Sequence, residues 1–488
     1  MKLASLALYS ILGVSAAASA GYMLAPQPSA KTPDVVRDSS GPTVAVNVPV
    51  APEATTTFTA GTTLQVEGRL GNPFLAKGSS SKTFLLLDVH PGQTAGNARP
   101  VEGHLAIVID RSGSMKGDRL PKALNAAKSA VDKLNPGDRV SVISFDTSPR
   151  IDVPMVEVTP NNRQTIKDSI DRITLGGDTC ISCAISSALT ELGQSVGLAD
   201  RMIVLSDGEP TAGVRDEAGF FPVAKSARDA SVGITTIGVG TSYNHKIMGA
   251  IALGSGGNHY FIEDPSSLEN AFLAEADKLK GTIAVGATAT ITLAEGVTLE
   301  RVYDRSFERE VNNAKKLKVQ LGNFSVGDTR TVLLELNVPT ESAGVVPVAE
   351  VHLTYDDRVA GKPGTCDGKL SVAVKDDAAA PAELDAQVAT RVARSQTAAT
   401  LSQVNELIEQ GRLEEAEAKI QVQQQALAAA AEKAKQAAPA GKSDKLADDY
   451  AGQASTLTNA REGLDPKKGG AKPRAVRKNV EMMNPYML

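Results

Sequence analysis

The chain of 488 residues has no Trp, and aromatic residues make up only 4% of it, so its cores must rest on Val, Ile, Leu and Ala. Three cysteines, Cys180, Cys183 and Cys366, are too few for a four-sulfur zinc site. The five histidines stand at 90, 104, 245, 259 and 352, and none shows the spacing to a cysteine that zinc requires. Charge of one sign is also scarce. A net charge of −5, with acids and bases mixed through most of the chain, gives no bulk field for nucleic acid. Beyond the first twenty residues, no stretch is long and apolar enough to cross a bilayer.

Those twenty residues are the exception. Met1-Lys2 gives a positive start, Leu3 to Ala20 carries no charge, and Ala18-Ser19-Ala20 ends the run in a small-x-small pattern. This reads as a secretory signal, with a retained anchor as the alternative and the only route to a membrane. No cysteine follows the run closely, so lipid attachment has no support. The chain is expected to be exported, to the periplasm, the cell surface or the medium. Such a compartment permits one disulfide, and the odd cysteine count leaves one thiol over.

Residues 21–56, rich in Pro, Ser and Ala, read as a flexible linker. Strand-like pieces fill 57–100, among them Thr63 to Glu67 and Thr83 to Val89, split by a turn region at Lys77 to Ser81. Over 101–281 the pattern alternates between apolar strands and amphipathic helices. Leu105 to Ile109 (LAIVI) has the continuous apolar character of a strand covered on both faces. Leu120, Leu124, Ala127, Val131 and Leu134 mark a helix, and strands follow at Arg139–Phe145, Met202–Leu205, Ile234–Val239 and His259–Ile262. Helices are expected at 162–173, 180–196, 223–230, 245–252 and 265–279. The fold class is α/β, a doubly wound, mostly parallel sheet.

From 282 to 376 the pattern is again period two, which predicts a β-sandwich, and the pieces before residue 100 are expected to join it. The α/β domain is therefore inserted in the sandwich or flanked by it. Residues 381–463 predict a helical hairpin that breaks at Gln410-Gly411-Arg412, with a third short helix at 444–460. A basic tail, 464–488, reads as disordered and solvated.

The chemistry concentrates in three short segments. Strand LAIVI runs into Asp110-Arg111-Ser112-Gly113-Ser114, with two hydroxyls two residues apart on a turn that Gly113 lets bend. Gly176-Gly177-Asp178-Thr179 offers a third hydroxyl just before a helix, and Met202–Leu205 runs into Ser206-Asp207-Gly208. Carboxyl ends of parallel strands are where doubly wound sheets bind ligands. This constellation resembles the von Willebrand factor A domain with its metal-ion-dependent adhesion site, of the integrin, inter-α-trypsin-inhibitor heavy chain and bacterial secreted types. The resemblance covers about residues 101–281. It implies that Ser112, Ser114 and Thr179 supply oxygen ligands, with Asp110 and Asp207 as direct or water-linked carboxylates. It further implies one divalent cation, magnesium first and manganese or calcium as alternatives. An Asp or Glu carboxylate from a protein partner would complete its coordination.

One departure stands next to the proposed ligands. The family commonly has a small or polar residue after the threonine, whereas Cys180-Ile181-Ser182-Cys183 follows Thr179 here. Three readings remain open: buried packing thiols, a local disulfide, or a redox-active pair at a helix N-terminus. Cys366 is placed in a turn, Lys362 to Gly368, and is expected to be unpaired unless it bonds to the α/β domain.

The function expected is a metal-dependent adhesion or assembly module rather than an enzyme. The alternatives are a structural or channel-associated subunit of an envelope complex, as in calcium-activated chloride channel-like proteins, and a metal-dependent hydrolase. No Ser-His-Asp or paired-glutamate signature favours the last. Export itself is testable. Residues 1–20 fused to a reporter active only outside the cytoplasm should yield activity, and a silent fusion refutes the signal reading.

Overall fold

The computed structural model describes residues 53–93, 102–193, 199–240, 243–303, 305, 307–376, 384–437 and 443–464. The expected signal segment, most of the expected linker and nearly all of the basic tail lie outside them. Among the described residues, no helix is long and apolar enough to cross a membrane.

Four strands come first: β1 (Thr57–Ala60), β2 (Leu64–Leu70), β3 (Phe74–Ala76) and β4 (Ser80–Pro91). The α/β unit follows with β5 (Gly103–Asp110), α1 (Arg119–Lys133), β6 (Arg139–Phe145), β7 (Pro149–Glu157), α2 (Arg163–Asp171) and α3 (Ile181–Leu192). It continues through β8 (Ala199–Ser206), α4 (Glu217–Asp229), β9 (Gly233–Val239), α5 (His245–Ser255), β10 (His259–Ile262) and α6 (Leu268–Lys280). Its sheet runs in the order β10-β9-β8-β5-β6-β7, all parallel except the antiparallel edge strand β7.

All eight residues of β5 are buried, as a central strand covered on both faces requires. One face of the sheet packs on α1, α2 and α6 through Leu105, Ile107 and Ile109. The other packs on α3, α4 and α5 through Ala106 and Val108. Each Ile or Val so buried contributes roughly 1.5–3 kcal/mol.

Seven strands complete the β region: β11 (Thr282–Leu293), β12 (Thr298–Tyr303), β13 (Glu308–Glu310), β14 (Asn313–Ser325), β15 (Arg330–Pro339), β16 (Gly344–Asp357) and β17 (Lys362–Lys375). They form two sheets, β1-β2-β4-β15-β12 and β13-β14-β11-β16-β17-β3. Leu85 and Leu87 from the first sheet share one core with Ile291, Val319 and Leu353 from the second. Strands from before the α/β unit thus pair with strands from after it, β4 with β15 and β3 with β17, and the unit is an insertion in a sandwich.

Three helices follow: α7 (Ala386–Glu409), α8 (Leu413–Ala437) and α9 (Ser443–Glu462). The third helix expected at 444–460 is present as α9, only slightly longer than expected. Thr397 Oγ1 donates to Gln453 Oε1 at 3.1 Å, and Arg394 pairs with Asp449, so α9 lies along α7. The first half of α7 covers the outer face of the first sandwich sheet, where Val388 and Val392 meet Leu86, Tyr303 and Leu333.

Two local expectations need correction. Helix α4 starts at Glu217, six residues before the expected 223, because Asp216 caps it by accepting from Gly219 N at 2.9 Å. Pro222 sits inside the helix, within its first two turns. Cys366 lies not in a turn but in β17, opposite Leu353. The neighbouring glycines mark ring packing instead: a Cβ at Gly368 would stand 2.1 Å from the Phe58 ring, and one at Gly364 would stand 2.4 Å from that of Tyr355. Cys366 is a free, buried thiol, and burial pushes its pKa up.

A buried polar network joins the inserted unit to the sandwich. Glu275 of α6 has no solvent exposure; it accepts from Thr235 Oγ1 at 2.8 Å, Tyr260 Oη at 2.9 Å, Asn258 Nδ2 at 3.1 Å and Arg201 Nη1 at 3.4 Å. Arg201 reaches on to Ser325 Oγ at 2.7 Å, and Asn323 Nδ2 donates to the carbonyls of Asp200 and Ser231. Burial works against the charged carboxylate, but Arg201, Lys278 and the hydroxyl donors hold its pKa below the usual carboxylate range. A lowered folded-state pKa adds stability above the unfolded value, and that stability is lost as pH falls through the folded one. Glu275→Gln leaves Arg201 buried without its counter-charge and should cost about 3 kcal/mol in urea unfolding at neutral pH. The difference from wild type should shrink on acidification. Equal unfolding midpoints at neutral pH would remove this network from the joint.

Candidate metal and partner-binding site

Asp110 closes β5 with its side chain fully buried. Its Oδ1 accepts from Ser112 N at 2.7 Å, and its Oδ2 accepts from Ser206 Oγ at 2.5 Å. Burial pushes its pKa up to about 6 against those hydrogen bonds, and the nearby Asp207 adds to the shift. Asp207, at the end of β8, is equally buried. Ser114 Oγ donates to its Oδ1 at 2.5 Å, and Ser112 Oγ lies 3.0 Å from Ser114 Oγ. A chain of hydrogen bonds therefore links the ends of two adjacent parallel strands through the two serines.

Thr179 is brought to the same point from the opposite side. A Cβ on Gly208 would stand 3.3 Å from Ser114 Oγ and 3.9 Å from Thr179 Oγ1, so the three residues surround one spot. Ser114 is exposed, and the site opens to solvent there. All five residues singled out by sequence are thus neighbours, each where an end of a parallel strand or an adjoining loop sets it.

Residues that the sequence did not flag hold this arrangement. Ser206 is the second hydroxyl on Asp110. Arg119, in the first turn of α1, pairs through Nη1 with Asp207 Oδ2 and donates to the Ser114 carbonyl at 3.1 Å. Asp146, just beyond β6, binds Arg111 at 2.7 Å and accepts from Gly177 N at 3.2 Å. Burial opposes its charge, but the amides of Ser148 and Gly177 and the Arg111 guanidinium hold its pKa below the usual carboxylate range. Thr211 Oγ1 accepts from Thr179 N at 2.8 Å, and Thr211 N donates to Thr179 O at 2.9 Å. Asp146 and Ser206 left a trace in the sequence, as a carboxylate and a hydroxyl following parallel strands.

Three hydroxyl oxygens and two carboxylates make a hard donor set that suits a small divalent cation and no soft metal. The charge balance agrees. Among the described residues Asp110 meets hydroxyl and amide donors but no basic side chain, and Arg119 answers only Asp207. A cavity of about 740 Å³ opens elsewhere, along α4, α5 and α7, and none of the five residues lines it.

With this geometry in place, comparison defines the class. Residues 104–274 match the von Willebrand factor type A domain, and the inserted unit is a domain of that type. Two curated proteins and two solved structures are among those the chain resembles. An uncharacterized protein of Synechocystis, sll0103, is 27% identical over 282 residues, covering 56% of this chain and 66% of its own length. The uncharacterized Escherichia coli protein YfbK is 25% identical over 273 residues, covering 55% and 47%. The chain therefore spans less than two thirds of either relative. A von Willebrand factor type A structure from Catenulispora acidiphila superposes with a TM-score of 0.70 at 17% identity, over 89% of this chain and 98% of that one. VWA2, an ArnB paralog of Sulfolobus acidocaldarius, gives 0.59 at 22% identity, over 87% and 98%. These two likenesses establish the shared fold, sandwich and helices included.

Arg119 provides a test of the site's electrostatics. In chelator, Arg119→Ala should destabilise the protein by roughly 1–3 kcal/mol, because it strips a buried carboxylate of its charged donor. Arg119→Lys should lose less. Denaturant unfolding measures both, and an unchanged midpoint for Arg119→Ala would show that the pair contributes nothing.

Proposed function

We propose that the inserted domain is a cation-dependent protein-binding module. Ser112, Ser114 and Thr179, with Asp110 and Asp207 directly or through water, would hold one divalent cation, magnesium before manganese or calcium. The observation that carries this reading is the pair of fully buried carboxylates, bridged by two serine hydroxyls and answered by one guanidinium. Two buried negative charges are costly without a matching positive charge. When bound, the cation supplies that charge and an electrophilic position that a carboxylate can take.

The partner inferred is a protein offering an Asp or Glu side chain. Von Willebrand factor type A domains generally serve protein interaction and adhesion, which supports this reading. So does the exposed Leu175, 47% accessible beside the Gly176-Gly177 loop, an apolar contact next to a carboxylate-seeking centre. On this reading the module binds and does not catalyse. We also place the protein outside the cytoplasm, on the signal-like residues 1–20 and on the Cys180–Cys183 disulfide, which an oxidising compartment favours.

Calorimetric titration with magnesium tests the site. Wild-type protein should bind one equivalent, and Asp110→Ala should bind none while keeping its fold by circular dichroism. Undiminished binding by the folded variant would refute the assignment. Pulldown from the native cell envelope, in magnesium and then in chelator, should capture and release the partner.

A further inference from the structure

Cys180 and Cys183 are bonded to each other, with their Cα atoms 5.4 Å apart. Cys180 occupies the N-cap of α3 and is buried, whereas Cys183 is half-buried in the first turn. So small a ring removes little chain entropy from the unfolded state, and global stability does not explain its position.

Its neighbours do. Gly213, on the loop that follows Asp207, has a φ of +69° and lies against both sulfurs. A Cβ there would stand 2.4 Å from Cys180 Sγ, 2.6 Å from Ser182 Oγ and 3.3 Å from Cys183 Sγ. The same loop is bonded to the segment that carries Thr179. Thr211 N and Ala212 N donate to Thr179 O, Thr211 Oγ1 accepts from Thr179 N, and Val214 N donates to Ser182 Oγ at 3.0 Å. The disulfide is the surface on which the Asp207 loop and the Thr179 segment are seated together.

We propose that the Cys180–Cys183 disulfide is a redox modification site whose co-reactant is a dithiol, and that its state sets the position of Thr179 relative to Asp207. The inference rests on the cation-site reading. A thiolate of the dithiol attacks the Sγ of Cys183, the less buried of the two residues. The Sγ–Sγ bond breaks, and its electron pair leaves on Cys180 Sγ, which takes up a proton. The second thiol of the reductant then displaces Cys183. The reductant ends as a disulfide, and two electrons and two protons have passed to the protein.

Two thiol sulfurs need more room than a bonded pair. Ser182 and Gly213 leave none on their side, so the 211–214 loop must lift or the Cys180 backbone must turn. Either movement acts on the bonds that fix Thr179. The oxidised protein therefore holds the three hydroxyls and Asp207 in register, and reduction loosens that register with little change in overall stability.

The test compares oxidised protein, protein reduced with dithiothreitol and freed of reductant under argon, and Cys180→Ser/Cys183→Ser. Magnesium affinity should fall on the order of fivefold or more in the reduced and variant forms. Reoxidation should restore the wild-type value. Amide exchange at Thr211, Ala212 and Val214, measured in chelator, should quicken on reduction and tests the coupling without any cation. Equal magnesium affinity in oxidised and reduced protein, or unchanged exchange, overturns the redox inference and leaves the cation site standing. Quickened exchange with no magnesium binding in any form supports the coupling and overturns the cation reading instead. If the serine variant does not fold, the reversible oxidised and reduced pair decides alone.

Discussion

The arrangement of this protein depends on a buried carboxylate, Glu275, that gathers Arg201, Thr235, Asn258 and Tyr260 at one end of the parallel sheet and ties them to the sandwich through Ser325. Arg201 stands near the start of β8 and Asp207 just past its end, roughly 20 Å farther along the strand. Because the start is locked against the sandwich, the opposite end, with Asp110, Ser112, Ser114, Thr179 and Asp207, is turned outward. The sheet's polarity and this joint together place every candidate ligand at the free end of the inserted domain.

The two ends of the sheet handle buried charge differently. At the joint, Glu275 is met by Arg201 and Lys278 and by several neutral donors. At the free end, Asp207 alone of the two carboxylates meets a guanidinium, and both are otherwise answered by hydroxyls and amides. A network with its donors matched serves as a rigid fastening. One left short of positive charge is a site that invites a ligand. Both are built from the same kinds of side chain, and only the tally of charge separates them.

Much of this was legible in the sequence because it rests on local pattern. LAIVI names a strand covered on both faces, and a carboxylate or hydroxyl just past such a strand falls on the binding edge whatever the rest of the fold does. Asp110, Ser112, Ser114 and Asp207 could be read that way, and Thr179 followed from its glycine-rich loop. Arg119 and Thr211 could not, since their role lies in contacts that span up to 88 positions of chain and leave no periodicity behind. Cys366 was misplaced for a related reason: Gly364 and Gly368 look like turn residues, yet each makes room for an aromatic ring across the sheet. The disulfide was one of three open readings, because sequence spacing does not show what the sulfurs pack against.

The insertion also bears on the order in which the chain can assemble. Thr331 of β15 bonds to Asp88 of β4 across 243 positions, so closing that sheet from an unstructured chain carries a loop entropy of about 5 kcal/mol. An inserted domain that folds first brings its own ends together and shortens that loop before the outer strands meet. The sandwich then behaves as a late-closing shell, and β2 and β4, made early in synthesis, must wait for β15 with one edge unpaired. Productive folding thus sets a race between the inserted domain and the association of that waiting edge with other chains.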